Sequence, residues 1–542
     1  MNQLRMWPVA ATSDRGCPID SLDSVPAGRQ RPSSLYCRRL WFAPGHGEDA
    51  GHRRRHPFNG RGNSGPDRGV KSLPRRPVSD TTGLVLAISA LLVGGFLQEL
   101  LLLNGHAELG IVSLVPLMIL VGWLWRPGWA VLGVIGISLG VALLLPLQTG
   151  GGRYQDWLLH YEMALHYAGQ PSHVLAAGLQ WRTPLYQQLN AGILAHSPNY
   201  WTLQVGSVLL NSLWLWPASL LIRERAPDSS GLRLLAVALT PVVIAYSTYT
   251  WPWNFAGFFL LSSLWLLGQS GFVARIGIGV SLGAALLAHP ATSGYVLGIG
   301  LLWLYRHRAR VLPGAIAFAL VLLSALPWML SVTGGGGPQS LVSGSIPVLS
   351  ATTPVLWAVS RLLILAHTFF PEPIVNADRF WPNLALEFLL FSLPGGLITA
   401  LAAGRLQRPP TAVVICLVGG GLVGLALFPA GAYRTGMLNT LYPGILVLLT
   451  FAAGAMSATS ARRMLVAGAA FGGCFVALLL WVSTSPIAGD PNLDLRKLYG
   501  VTFFVQRWGV LPGLTILLGA VLVCARTVAR GWGLTQPGAA AG

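Results

Sequence analysis

The fold is decided by stretches such as TGLVLAISALLVGGFLQELLLL, which occupies residues 82–103. This stretch is almost entirely apolar, and a helix needs about 20 such residues to cross the hydrocarbon core of a bilayer. We predict an all-α polytopic membrane protein with about 14 transmembrane helices, because similar stretches recur along the chain. The predicted spans are 82–103, 111–125, 128–147, 203–222, 234–249, 254–269, 276–289, 293–305, 311–331, 384–403, 411–428, 440–457, 464–483 and 510–526.

The composition of the 542-residue chain agrees with this prediction. Hydrophobic residues make up 53% of the chain and charged residues 10%, whereas about a quarter of an ordinary soluble domain is charged. This balance excludes a cytosolic enzyme, a disordered regulator and a disulfide scaffold. The net charge of +18 does not indicate binding to nucleic acid, because the basic residues lie in the N-terminal tail and in short clusters between the apolar stretches.

The basic clusters also predict the orientation of the spans. Arg and Lys are enriched in cytoplasmic loops, and every basic cluster falls on one side if the number of spans between clusters is even. We therefore predict a multi-pass membrane protein with a cytoplasmic N-terminus. The predicted parts are a disordered basic tail (1–80), a membrane domain (81–530), its outer loops (148–202, 332–383 and 484–509) and a cytoplasmic C-terminal tail (531–542).

One apolar segment, VLWAVSRLLILAHTFF at 355–370, is not counted as a span. It is short for a crossing and carries Arg361 and His367. Counting it would also place the basic residue Arg405 outside. We predict that it forms an interfacial helix on the outer surface.

The first outer loop carries the polar residues best suited to chemistry. Asp156, His160 and Tyr167 share one face if this segment is helical, with Glu162 on a different side. An amphipathic juxtamembrane helix of this kind fits a site that faces an aqueous cavity at the membrane surface. Asp156 is equally compatible with a cap at the start of the helix.

A second helix is predicted later in the same loop, where Arg182, Thr183 and Pro184 precede Leu185 and Tyr186. Proline is favoured in the first turn of a helix, and threonine can cap that turn. The guanidinium of Arg182 is suited to holding a phosphate. It is equally suited to anchoring the chain at the interface.

The order of these features resembles the GT-C superfamily of polytopic glycosyltransferases, which includes protein O-mannosyltransferase-like bacterial enzymes. The resemblance lies in a span, an outer loop with Asp156 near its beginning, a polar helix and the Arg182–Tyr186 motif before the next span. It implies transfer of a sugar from a polyprenyl-phosphate carrier to an acceptor at the outer, periplasmic face. It also implies that Asp156 acts as the general base. The predicted substrate-binding residues are His160, Glu162, Arg182, Tyr186, His289 and Arg434.

Two features depart from the family pattern. Gln155 stands before Asp156, where family members often carry a second acidic residue, and the spans within 82–125 precede the usual first span. The first departure leaves room for a divalent cation without requiring one, and no metal-ligand set or other cofactor is predicted. The choice of acceptor is left open between a glycan, a lipid and a protein.

Two predicted site residues lie outside the first loop. Arg434 falls at a span boundary, where the phosphate of a lipid carrier would lie; it also suits an interfacial anchor. His289 ends a short span, and Arg275 and Arg306 bracket too few residues for two full crossings. We therefore predict a shallow hairpin that places His289 beside a cavity, either as a hydrogen-bond donor to substrate or as a structural break between the two helices.

A transporter or flippase of a lipid-linked or amphipathic solute is the alternative function. It calls for charged residues at mid-span and for broken helices in matching halves. The mid-span positions are almost free of charge, which favours the enzyme. A non-catalytic membrane scaffold would leave the grouping of Asp156, His160 and Arg182 on one loop without a reason. Membrane lipids are predicted partners in every case.

Overall fold

The computed structural model describes residues 78–144, 156–170, 184–248, 250–326, 389, 393–406, 409–427, 439–484 and 504–531. All regular secondary structure in these ranges is helical. The first helices are α1 (Asp80–Leu103), α2 (Gly110–Trp125), α3 (Trp129–Leu144), α4 (Asp156–Tyr167), α5 (Leu185–Leu194), α6 (Tyr200–Asn211), α7 (Leu215–Arg225), α8 (Ser230–Ala238) and α9 (Pro241–Thr248). They are followed by α10 (Trp253–Leu267), α11 (Phe272–Ala288), α12 (Ser293–His307), α13 (Leu312–Ser324), α14 (Leu393–Gly404), α15 (Thr411–Leu427), α16 (Tyr442–Ala455), α17 (Ala458–Thr484) and α18 (Phe504–Gly531).

Every predicted span overlaps a helix, so the all-α polytopic class is confirmed. Four helical stretches in the described ranges are long and apolar enough to cross a membrane: Asp80–Leu103, Ala107–Trp125, Thr202–Arg225 and Leu511–Ala529. One bent pair raises that number to five if it counts as a single span. Several other apolar helices are shorter, including α10, α11 and α16. The total of about 14 crossings stays a prediction.

The predicted span 234–249 is not one straight helix. It consists of α8 and α9, whose axes bend by 73° at the break between them. Pro241 begins α9, and a proline lacks the backbone N–H and crowds the preceding turn. The apolar residues of this segment correctly predicted a helical region, but Pro241 divides that region into two helices.

Helix α10 lies at the centre of the bundle, since every residue from Trp253 to Leu267 is buried. It packs against α7, α11 and α16. In contrast, α2 and α18 expose large apolar side chains such as Ile119 and Leu518, which marks surfaces for lipid. The protein is therefore a multi-pass membrane protein with an inner, fully packed helix and an outer, lipid-facing layer.

Small residues allow α3 and α18 to approach closely. A Cβ atom added at Gly136 would lie 2.7 Å from the Cβ of Ala520, and one at Gly140 would lie 2.8 Å from the Cβ of Leu517. Close approach through small residues is a common way for helices to associate in membranes.

The tail at 1–77, most of the outer loops 332–383 and 484–509, the segment 355–370 and residues 532–542 lie outside the described residues. Their predicted roles stay predictions.

Candidate functional site

Helix α4 is enclosed by other helices over most of its described side chains. Its residues 160–165 and 167 are buried, and His166 is exposed. It packs against α1, α5 and α6. The sequence predicts His160 and Glu162 on different sides of this helix. The two residues do not differ in exposure, because each is at most 2% exposed.

The side chain of His160 is tied to α5. Its Nδ1 atom lies 2.6 Å from Nε2 of Gln187, and both groups are buried. The tautomer of the His160 ring sets which of the two groups donates in this contact. Glu162 also has an interaction partner, so α4 holds two engaged polar side chains in the interior of the bundle.

Tyr161 connects α4 to the segment after α5. Its hydroxyl donates a hydrogen bond of 2.8 Å to the backbone oxygen of Pro198. Burial, together with the nearby charge of Glu162, raises the pKa of Tyr161 to about 12. The phenol therefore stays protonated at neutral pH and keeps its role as donor.

Tyr186 lies at the start of α5 and is completely buried. Its ring meets His160 edge-on at 6.0 Å and packs at 5.7 Å against Phe255 of α10. Burial raises the pKa of its hydroxyl. Tyr186 therefore connects the loop helices to the central helix.

The side chain of Asn211 organises the start of α10. Its Nδ2 atom donates to the backbone oxygen of Trp251 at 2.8 Å, and more weakly to the Tyr186 hydroxyl at 3.4 Å. Its Oδ1 atom accepts from the backbone N–H of Phe255 at 3.1 Å. That N–H belongs to the first turn of a helix, where backbone donors lack partners within the helix.

His289 has an extended backbone and lies between α11 and the short 3-10 helix Pro290–Thr292. Its Nδ1 atom accepts from the backbone N–H of Ala291 at 3.1 Å. Its ring packs on Trp253 with a centroid distance of 4.1 Å. The histidine therefore caps the short helix, which is the structural role that was one of its two predicted roles. Its ring is half-buried.

The predicted residues His160, Tyr186 and His289 belong to two groups of ring contacts that both include a residue of α10. His160 contacts Tyr186, Tyr186 contacts Phe255, and Trp253 on the same helix turn contacts His289. Because α10 carries both Phe255 and Trp253, it positions the loop helices on one side and the end of α11 on the other.

Asp156 is the first residue of α4, one helical turn before His160. The side chain of Asp156, and the residues Arg182 and Arg434, lie outside the described part of the structure. Within the described part, no group of three His, Cys, Asp or Glu side chains could hold a metal ion.

Sequence reasoning missed the part that α1 plays in this region. Gln98 donates through Nε2 to the backbone oxygen of Tyr167 at 2.7 Å, which ties α1 to the end of α4. Its neighbour Glu99 accepts from Nε2 of Gln188 at 2.8 Å, which ties α1 to α5. The available signal was a Gln-Glu pair in an otherwise apolar span, because polar residues in spans are costly unless they have partners.

Comparison with known proteins identifies one similar solved structure. No protein-family model matches the chain, and no curated protein matches its sequence. The chain is similar to the crystal structure of ArnT from Cupriavidus metallidurans bound to undecaprenyl phosphate, with a TM-score of 0.43 and 13% sequence identity. The match covers 74% of each chain. A similarity of this size does not by itself assign an activity.

Proposed function

We propose that the protein is a membrane glycosyltransferase that moves a sugar from a polyprenyl-phosphate carrier to an acceptor at the outer face of the bacterial inner membrane. The observation that supports this function best is the burial of the two loop helices α4 and α5. Their segment brings His160, Glu162, Gln187 and Gln188 into the bundle. Burying polar side chains costs free energy unless they are hydrogen-bonded. Fewer buried polar side chains would be enough if their only role were to hold α4 and α5 against the other helices.

Asp156 is the proposed general base. In the reaction, the acceptor oxygen forms a bond to the anomeric carbon of the sugar while the bond from that carbon to the carrier phosphate oxygen breaks. The phosphate leaves with the electron pair, and Asp156 takes the proton of the acceptor hydroxyl. Displacement from the opposite side would invert the anomeric configuration.

The other predicted residues have supporting roles. The phosphate gains negative charge as it leaves, and the guanidinium groups of Arg182 and Arg434 are proposed to stabilise it. His160, one turn after Asp156, and Glu162, on a different side of the helix, are proposed to orient the sugar or the acceptor together with Tyr186. His289 is proposed to donate a hydrogen bond from Nε2, because its Nδ1 atom already accepts from Ala291. This scheme requires no metal ion, and a divalent cation near the phosphate would be compatible with it.

The substitution Asp156→Asn tests the assignment of the base. Removal of a general base typically lowers the rate by about 10²–10⁴-fold. We therefore expect Asp156→Asn protein in lipid nanodiscs to bind a polyprenyl-phosphate sugar as wild type does but to release the sugar at least about a hundred-fold more slowly. The measurement is binding and turnover of a panel of polyprenyl-phosphate sugars.

Glu108→Gln is the matched control, because it removes a carboxylate that is 60% exposed and interacts with His106 outside α4 and α5. It should keep wild-type turnover. Full activity of Asp156→Asn would reject Asp156 as the base. Donor binding without turnover by the wild type would reject the transfer reaction with the acceptors supplied.

The alternative is a transporter or flippase of a lipid-linked or amphipathic solute. The observation in its favour is the 73° break between α8 and α9, since broken helices line the substrate sites of many transporters. Reconstituted vesicles distinguish the two functions. Movement of intact lipid-linked sugar across the bilayer, with no sugar released, would support the transporter and reject the enzyme.

A further inference from the structure

A small pocket opens beside the end of α1. It lies between α1, α5, α11 and α13, and Glu99, Gln188, Ser324, Phe96 and Leu287 are among the residues that line it. The polar group Glu99 stands near the end of a helix long enough to cross the membrane. The pocket is therefore at the depth where lipid headgroups meet hydrocarbon.

The carboxyl group of Glu99 faces this pocket with one oxygen still available. Glu99 is only 8% exposed. Its Oε2 atom accepts from Gln188 at 2.8 Å, and no hydrogen bond to Oε1 comes from the described residues. No Arg, Lys or His side chain in those residues pairs with Glu99. A carboxylate at a membrane boundary is costly unless it is solvated or paired with a cation.

The pocket is amphipathic along the direction of α1. Phe96 and Leu92 line it, respectively one and two turns before Glu99 on the same helix face. The ring of Phe96 is 37% exposed, and Leu323 and Leu326, which flank the lining residues of α13, are exposed as well. Exposed apolar side chains on predicted spans face lipid, so the pocket is continuous with a lipid-facing surface.

The size of the pocket restricts what can enter it. The cavity volume is about 20 Å³, which is close to the space that one water molecule needs. A phosphate group would be repelled by the carboxylate. A single small donor group fits, and a primary ammonium group donates hydrogen bonds and also neutralises the charge.

We propose that this pocket binds the primary ammonium headgroup of a membrane lipid, with Glu99 and Gln188 as the receiving groups. The ammonium group would donate to Oε1 of Glu99 and to Oε1 of Gln188, while the acyl chains lie along Phe96 and the exposed leucines of α13. A trimethylammonium headgroup has no N–H to donate, so it cannot make these hydrogen bonds. This binding site does not depend on the proposed transfer reaction.

Native mass spectrometry of the full chain, titrated with lipids that share the same acyl chains, tests the proposal. We expect phosphatidylethanolamine to bind about ten-fold more tightly than phosphatidylcholine. Only its ammonium group can donate hydrogen bonds to Glu99, and hydrogen bonds between charged groups are stronger than those between neutral groups. Glu99→Gln should remove this preference. The glutamine keeps an amide oxygen that can accept from Gln188, so the contact between α1 and α5 is retained. Ser324→Phe, which fills the pocket from α13, should remove the preference while Glu99 is intact.

The control is Glu108→Gln, which should keep the wild-type preference because Glu108 does not line the pocket. Equal binding of the two lipids by the wild type, or an unchanged preference in Glu99→Gln, would overturn the proposal. Tighter binding of phosphatidylglycerol than of phosphatidylethanolamine would show that the pocket prefers a hydroxyl donor to an ammonium group, which would also overturn the proposal. Displacement of the lipid by an equal concentration of free ethanolamine would show that the ligand is a soluble amine.

Discussion

At the residue scale, Asn211 shows how one amide can organise a polar region inside a membrane protein. Its two side-chain atoms satisfy the backbone oxygen of Trp251 and the backbone N–H of Phe255. These groups belong to the segment that carries Trp253 and Phe255 toward His289 and Tyr186. Nothing in the local pattern LLNSLW distinguishes Asn211 from an ordinary small polar residue in a span. Its importance follows from contacts about forty positions away in the chain.

We predict that Asn211→Leu is far more destabilising than Tyr186→Phe. Asn211→Leu removes the side-chain partner of two backbone groups, and an unsatisfied buried group costs about 1–3 kcal/mol. Tyr186→Phe loses a hydroxyl whose contact with Asn211 is long, at 3.4 Å, and keeps the ring contacts. The measurement is thermal unfolding of both variants and the wild type in the same detergent. Equal losses in the two variants would contradict the role given to Asn211.

At the element scale, the loop helices α4 and α5 are buried more deeply than their sequences indicate. Their polar residues predict an amphipathic juxtamembrane pair, and most of their described side chains, polar ones included, are buried. The reason is that α1 supplies partners for them through Gln98 and Glu99. Periodicity shows which residues share a face, and it does not show whether another helix covers the polar face.

The close approach of α5 to α1 depends on Gly95. A Cβ atom at this position would lie 2.7 Å from Cδ1 of Leu185 and 3.0 Å from Oε1 of Gln188. We predict that Gly95→Leu pushes α5 away, breaks the contact between Glu99 and Gln188, and costs about 1–3 kcal/mol as overpacking does. Thermal unfolding and turnover of a donor sugar are the measurements.

Gly122→Leu provides the comparison, because a Cβ atom at Gly122 meets nothing within 4 Å and the residue lies in the neighbouring helix α2. It should unfold at the wild-type temperature or slightly above, since glycine is a poor helix former. If Gly95→Leu were tolerated as well as Gly122→Leu, the packing of α5 on α1 would not be tight.

At the scale of the whole molecule, the basic clusters predict the orientation while the exposed apolar residues mark the lipid-facing surface. His166 is exposed at the end of α4 on the predicted outer side. Asp228 is exposed in the turn Pro227–Ser229 on the predicted inner side. The two positions therefore report on opposite sides of the membrane.

We predict that a membrane-impermeant maleimide labels His166→Cys in intact spheroplasts, and labels Asp228→Cys only after the membrane is permeabilised. The background chain has its own cysteines, at Cys17, Cys37, Cys416, Cys474 and Cys524, replaced by serine. The physical reason is the enrichment of Arg and Lys in cytoplasmic loops. The reverse labelling pattern would show that the orientation is inverted. Equal labelling of both sites without permeabilisation would place them on the same side of the membrane and would contradict the predicted span between them.

The sequence by itself determined where the helices lie, because a run of apolar residues long enough for a membrane has few other stable structures in lipid. It also determined which segments are polar enough for chemistry, such as the one that begins at Asp156. Only the tertiary structure decided that Glu99 meets Gln188 across 89 positions of the chain, and that Asn211 supports α10. A hydrogen bond between distant residues depends on how helices pack, and packing is set by the shapes of side chains that are not neighbours in sequence.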